Sequence, residues 1–310
     1  MYRAEEQAWQ QKSRVKWLKE GDRNTKFFHL MASYRRKVNS IDKLYILGRE
    51  VDSPWELKQV VADHFESHFH QTQGIRLINW NSNFRKLNNE SVLALEQPFT
   101  EEEVWGVIQM TNSNKAPGPD GFNMHFIKNH WELIKGDVMK MFEEFFLSGT
   151  FDGRINKSFI ALIPKCSLPT GLNEYRPICL VGCLYKIIAK VLANRLRKVM
   201  VEVVGDNQFS FVRGKQILDC SLVASEVIDS IKKSGSGGTM LKVDFEKAYD
   251  SVEWSFLDMV MGKMSFGEKW RKWIRTCIST VSLSVLVNGV PTRQFHTRRG
   301  LRQGCPLSPF

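Results

Sequence analysis

The chain has 310 residues, enough for one large domain or two, and 43% of them are apolar, enough for a packed core. Lysine and arginine outnumber aspartate and glutamate 44 to 33, a net charge of +11. No apolar run nears the roughly 20 residues of a membrane span, no secretory signal opens the chain, and six scattered cysteines do not form a disulfide framework, so a nuclear or cytoplasmic protein with reduced thiols is expected and no membrane partner.

The charge sits at the ends. Residues 1–50 carry 12 basic and 6 acidic side chains, and residues 268–310 carry 8 and 1. Such ends suit phosphate contacts, or simply a basic surface. Residues 1–37 interleave Trp9, Trp17, Phe27, Phe28 and Tyr34 with Lys12, Arg14, Lys16, Lys19, Arg23, Lys26, Arg35, Arg36 and Lys37. Two helices are expected there, broken at Gly21–Asn24, tracking a nucleic-acid backbone or packed on the main domain through their aromatics. A short hairpin around Gly48 and a helix over 55–70 follow. His64, His68 and His70 lack a third-ligand motif, which favours a solvated helix face over a zinc site. Residues 71–98 are asparagine-rich and read as a linker or lid, so the expected division is a basic helical segment over 1–98 and a main domain over 99–310. Thr100 with Glu103 starts a helix by a capping box.

The loop 112–121 is too rich in proline and glycine for helix or central strand, and its Asp120 reads as a turn carboxylate. Apolar residues from Phe126 to Phe145 recur at helical spacing. Strands are expected at 158–164 and 175–180, and helices at 183–204, 216–233, 250–264 and 269–280. A hairpin is expected at Asn288-Gly289, since that pair favours the tight turn. Met240 to Phe245 alternates like a half-buried strand, which would hold the Asp244 carboxylate out from its end. Asp250, three residues before Glu253, reads as a helix cap.

Four stretches occur in order: Asn114-Lys115-Ala116-Pro117-Gly118-Pro119-Asp120-Gly121, Tyr175-Arg176-Pro177-Ile178-Cys179-Leu180, Leu241-Lys242-Val243-Asp244-Phe245 running on to Tyr249-Asp250, and Arg299-Gly300-Leu301-Arg302-Gln303-Gly304-Cys305-Pro306-Leu307-Ser308-Pro309. From about residue 100 onward the chain resembles a reverse transcriptase of the LINE-type (non-LTR) retrotransposon branch, in particular its plant members. The resemblance implies an α+β fold: right-hand polymerase fingers and a partial palm, with an antiparallel-rich sheet backed by helices, preceded by the basic helical segment. It implies RNA-directed DNA polymerase activity on an RNA template, a DNA primer and deoxynucleoside triphosphates.

By the same resemblance Asp244 is the first catalytic aspartate. It binds metal with the Phe245 carbonyl, in a site for two Mg²⁺ (or Mn²⁺) ions. Lys165 and Arg176 reach the triphosphate. Phe245, Tyr249, Gln303 and Gly304 line the nucleotide, Tyr249 excluding a 2′-hydroxyl by steric clash. Arg213, Lys215, Arg299 and Arg302 contact nucleic acid. The family's Tyr/Phe-x-Asp-Asp turn does not occur in residues 1–310. The expectation is therefore a fragment that lacks the remaining palm and thumb and is inactive alone; the alternative is a catalytically inactive, nucleic-acid-binding remnant.

Overall fold

The computed structural model describes residues 25–46, 48–70, 83–212, 214–235, 237–245 and 247–310. The first of the two expected N-terminal helices, with Lys12, Arg14, Lys16, Lys19 and Arg23, and the Arg213 assignment lie outside the described residues. Helix α1 (Thr25–Val38) leads into the hairpin β1 (Leu44–Ile46) and β2 (Arg49–Val51), then α2 (Pro54–His68). The span expected to be irregular contains a short helix, α3 (Asn89–Leu95), because the Asn88 side chain accepts from the Ser91 amide and caps it. Next come α4 (Glu101–Met110), α5 (Met124–Asn129) and α6 (Trp131–Ser148). The apolar side chains of 41–95 and of 104–307 share one core, so packing runs across the expected boundary at residue 98.

The main sheet begins with β3 (Lys157–Pro164) and β4 (Tyr175–Val181), paired antiparallel. Strand β5 (Ser282–Val287) lies parallel to β3 on the other side and carries β6 (Val290–Pro291) and β7 (Phe295–His296) antiparallel. Three of the four pairings are antiparallel, and β4 is the edge, where Pro177 costs no ladder bond. Asn288 (φ 51°) and Gly289 (φ 84°) form the left-handed pair that a two-residue hairpin turn requires. The Asn288 amide also bonds the Ile41 main chain in both directions, docking the N-terminal hairpin.

Four further helices complete the fold: α7 (Cys183–Val203), α8 (Ile217–Ser234), α9 (Trp254–Lys263) and α10 (Glu268–Ser279). Two begin with a glycine at the cap position, Gly182 for α7 and Gly267 for α10, so neither can cap itself. Carboxylates from elsewhere do so. Asp120 accepts from the Cys183 amide at 2.5 Å, and Glu96 accepts from the Trp270 amide at 2.8 Å. This gives the proline-glycine loop its job: Gly118 lies so close to 181–182 that an added Cβ would stand 2.5 Å from their backbone. Arg195 of α7, 6% exposed, completes the clamp. Its guanidinium forks onto Glu103, stacks 4.3 Å from the Phe99 ring centre, and donates to the carbonyls of Leu95, Gln97 and Pro98.

Two expectations about the sheet fail. Residues 237–245 form no strand: Leu241 and Phe245 are 83% and 77% exposed, and the segment has no ladder partner among the described residues. Alternation specifies a strand only where another strand supplies the bonds. Helix α8 forms but buries none of its residues, so it does not back the sheet. For the loop clamp, Asp120→Ala is expected to cost about 1 kcal/mol as a lost cap. Gly118→Ala should cost about 3 kcal/mol, the upper part of the overpacking range, because the obstruction is backbone. Urea unfolding of the two variants checks the order.

Candidate functional site

The site is built on the β3–β4 hairpin. Opposed residues share a face, so Arg176 and Ile178 stand with their partners Ile163 and Ala161, away from the buried Ile160–Cys179 pair. Lys165 continues that face: its amide extends the ladder to the Glu174 carbonyl, and its ammonium donates to the Asn173 carbonyl at 2.8 Å. Lys247 approaches the Asn173 side-chain oxygen at 3.5 Å. Among the described residues no carboxylate pairs with Lys165, Arg176 or Lys247, so three cations share one region without internal neutralisation.

Residues 298–304 close the other side. The Gln303 carbonyl accepts from the Cys179 amide at 2.8 Å, and Gly304 (φ 96°) sits where a Cβ would be 3.1 Å from the Cys179 oxygen. The turn then runs along 249–252: Leu301 donates to Tyr249 and Gly300 to Val252, both at 2.8 Å. Gly300 (φ 80°) cannot be replaced, since a Cβ would meet the Asp250 oxygen at 2.4 Å. These contacts tie Lys165, Tyr249 and the Gln303–Gly304 turn to the β3–β4 hairpin that carries Arg176.

The other expected site residues have different surroundings. Asp244 and Phe245 are exposed on the unpaired segment. Asp250 is no helix cap: α9 starts after Glu253, and the Asp250 carboxylate, 3% exposed, accepts from the Gln303 side-chain amide at 3.2 and 3.3 Å. Arg302 is 6% exposed and cannot reach a template phosphate. Its guanidinium donates to the Ser158 hydroxyl and the Cys277 carbonyl and lies 4.1 Å over the Tyr185 ring. Arg299 turns its guanidinium onto the His68 carbonyl at the end of α2, where a cation suits the helix dipole. Lys215 folds back on the carbonyls of Gly205 and Asp206. Much of the basic C-terminal stretch is likewise used internally, Arg271 and Arg275 on Asp258 and Arg293 on Asp63 and Glu66.

Burial pushes the Cys179 and Cys277 thiols up to about 12, against the pull of Arg302, and Cys183 up to about 11, so these thiols are packing groups and not nucleophiles. An apolar cavity of about 270 Å³, lined by Met200, Met261, Phe266, Leu301 and Phe310 among others, lies behind the turn. No three His, Cys, Asp or Glu side chains are placed to hold a metal ion among the described residues. The described groups therefore do not make the carboxylate cage that a pair of Mg²⁺ ions needs.

These features define a class: an α+β domain whose antiparallel-rich sheet carries the β3–β4 hairpin against the 298–304 turn. Residues 163–310 match the family described as reverse transcriptase (RNA-dependent DNA polymerase). The chain is 26% identical over 303 residues to a transposon TX1 149 kDa protein of Xenopus laevis, covering 96% of this chain and 23% of that one. It is 27% identical over 215 residues to a retrovirus-related Pol polyprotein from the R2 element of Popillia japonica, covering 69% and 29%. A third relative, the Pol polyprotein of the R1 element of Bradysia coprophila, is 24% identical over 156 residues, covering 49% and 15%. The chain spans less than a third of the length of each. Residues 163–310 thus match a reverse transcriptase, and the relatives are proteins of elements of the LINE-type, non-LTR kind.

Asp250, Asn173, Lys247 and His68 were not legible as site residues, because each acts through a tertiary contact. Asp250 betrayed itself only as a polar residue within the motif. Two tests follow. Arg302→Met should keep or raise the melting temperature, since an apolar chain avoids the desolvation of a buried charge, whereas Arg302→Ala should lose about 2–4 kcal/mol to the cavity. His64, half-buried, is held below its ordinary value by burial first and then by His68 and Lys247. The unfolded chain takes up that proton more readily, so stability should fall as pH drops through about 6.5 and be fully kept above it. His64→Gln should flatten the melting temperature between about pH 7 and 5.5.

Proposed function

We propose that this chain supplies the nucleotide-holding part of an RNA-directed DNA polymerase, binding a deoxynucleoside triphosphate in the recess and an RNA template with its DNA primer alongside. The observation that supports this reading is the contact of the 298–304 turn with both the β3–β4 hairpin, which carries Arg176 and leads to Lys165, and the Tyr249 main chain. Arg176 offers a two-pronged fork and Lys165 a point charge to the polyphosphate. Tyr249 gives the sugar an apolar wall, and Gly304 lets the main chain approach closely. Divalent metal, Mg²⁺ or Mn²⁺, supplies charge stabilisation at the transferring phosphoryl group when bound. Asp244 is the described carboxylate assigned to it, with the Phe245 carbonyl as a companion.

A second reading, nucleic-acid binding without polymerisation by residues 1–310, is favoured by the lone, exposed Asp244. On this reading phosphate contacts fall to cations left on the surface, such as Arg36 and Lys37 of α1 and the residues of the recess. Binding of an RNA–DNA primer-template to residues 1–310 should weaken with salt, with a slope of roughly −0.7 to −0.9 per phosphate contact, and depend little on sequence. Primer extension with Mg²⁺ and deoxynucleotides should give no product. Templated extension would overturn the metal part of the proposal. Salt-independent binding, or none, would overturn the nucleic-acid part.

A further inference from the structure

Asp250 is a carboxylate taken almost wholly out of water, which is costly unless its oxygens are paired. One partner is the Gln303 amide, from 53 residues away in sequence. The other is His68, whose Nε2 lies 3.5 Å from the second Asp250 oxygen; both side chains are largely buried. His68 belongs to the last turn of α2, outside the residues that match the polymerase family.

The same helix end fixes the start of the turn as well. The His68 carbonyl takes the Arg299 guanidinium at 3.1 and 2.9 Å, and the Phe69 carbonyl takes the Arg298 amide at 2.9 Å. Between these anchors, Gly300 presses on the Asp250 backbone with no room for a Cβ. A shift of Asp250 must therefore move the turn.

A carboxylate only accepts, so Asp250 compels Gln303 to present its NH₂ and leaves the amide oxygen on the far side. The orientation of Gln303 thus depends on where Asp250 is held. The charged and titratable groups around His68 are Asp250, His64 stacked at 6.5 Å, Arg299 on its carbonyl, and Lys247 beyond His64.

We propose that His68 is a positioning residue of the nucleotide site: by holding Asp250 it sets the orientation of Gln303, so that the N-terminal helix α2 is a working part of nucleotide recognition. The proposal rests on the reading of Gln303 as a nucleotide contact. His68 itself touches no substrate.

The test is binding to residues 1–310, with a fluorescent N-methylanthraniloyl-dATP as the nucleotide probe and inorganic tripolyphosphate as a probe of the Lys165–Arg176 cations alone. His68→Ala should weaken the nucleotide about 5- to 10-fold, the loss expected for one ordinary polar contact, and leave tripolyphosphate within about twofold. His68→Gln, which keeps a donor, should restore most of the affinity. In a Gln303→Ala background His68→Ala should add nothing, because the two act in series. If His68→Ala melts below the assay temperature, His68→Leu against His68→Gln carries the same comparison. Nucleotide binding unchanged in the donorless variant, equal loss for both probes, or additive losses in the double variant would each overturn the proposal. If the unaltered chain binds neither probe, the recess is not a nucleotide site and both readings fall. If it binds both and only the His68 variants are silent, the nucleotide reading stands and the role of His68 alone is refuted.

Discussion

The site depends on a guanidinium buried without a counter-ion. Arg302 enters the core from the middle of the 298–304 turn and finds there a hydroxyl, a carbonyl at the last turn of α10 and the face of Tyr185, with no carboxylate among its contacts to the described residues. An arginine cannot shed its proton to escape this cost. It is offset by the helix-end dipole and by the aromatic face, the latter worth about 2 kcal/mol when desolvated. The consequence is geometric. With Arg302 fixed below to β3 and α10, its neighbours Gln303 and Gly304 have only the surface above, against Cys179 on one side and Asp250 on the other.

The supports of that turn come from distant parts of the chain. Helices α7 and α10 both start at glycines and borrow their caps, Asp120 from the proline-glycine loop and Glu96 from the end of α3. Arg195 gathers the carbonyls that follow α3 and the Glu103 carboxylate of α4 into a single buried fork. Because Glu103 is drawn to Arg195, the capping box read at Thr100 is only half made: Thr100 accepts from the Glu103 amide, while the carboxylate serves another helix. Rigid placement of catalytic and binding groups requires this kind of backing.

What was legible in the sequence was whatever local rules decide. The β3–β4 hairpin, the Asn288-Gly289 turn, the Thr100 cap and the long helix at 183–203 follow from alternation, turn chemistry and helical spacing, and all are present. The recess was legible only because its motifs resemble those of a family. What failed was decided by partners far along the chain. The 240–245 alternation had no strand to pair with among the described residues, the Asp250 spacing suited a cap but the carboxylate was taken by Gln303 and His68, and Arg302 looked like a template contact because charge in a sequence says nothing of burial. The basic C-terminal stretch misled for the same reason, its arginines being spent on Asp258, Asp63, Glu66 and the end of α2.

The central claim is that the β3–β4 hairpin and the 298–304 turn face one nucleotide. A deoxynucleoside triphosphate carrying a photoreactive aryl azide on its terminal phosphate would settle where that phosphate lies. After irradiation and digestion, the adduct should map by mass spectrometry to peptides containing Lys165 or Arg176, and excess unlabelled nucleotide should suppress it. Competed labelling confined to α9, α10 or the apolar cavity behind the turn would contradict the claim.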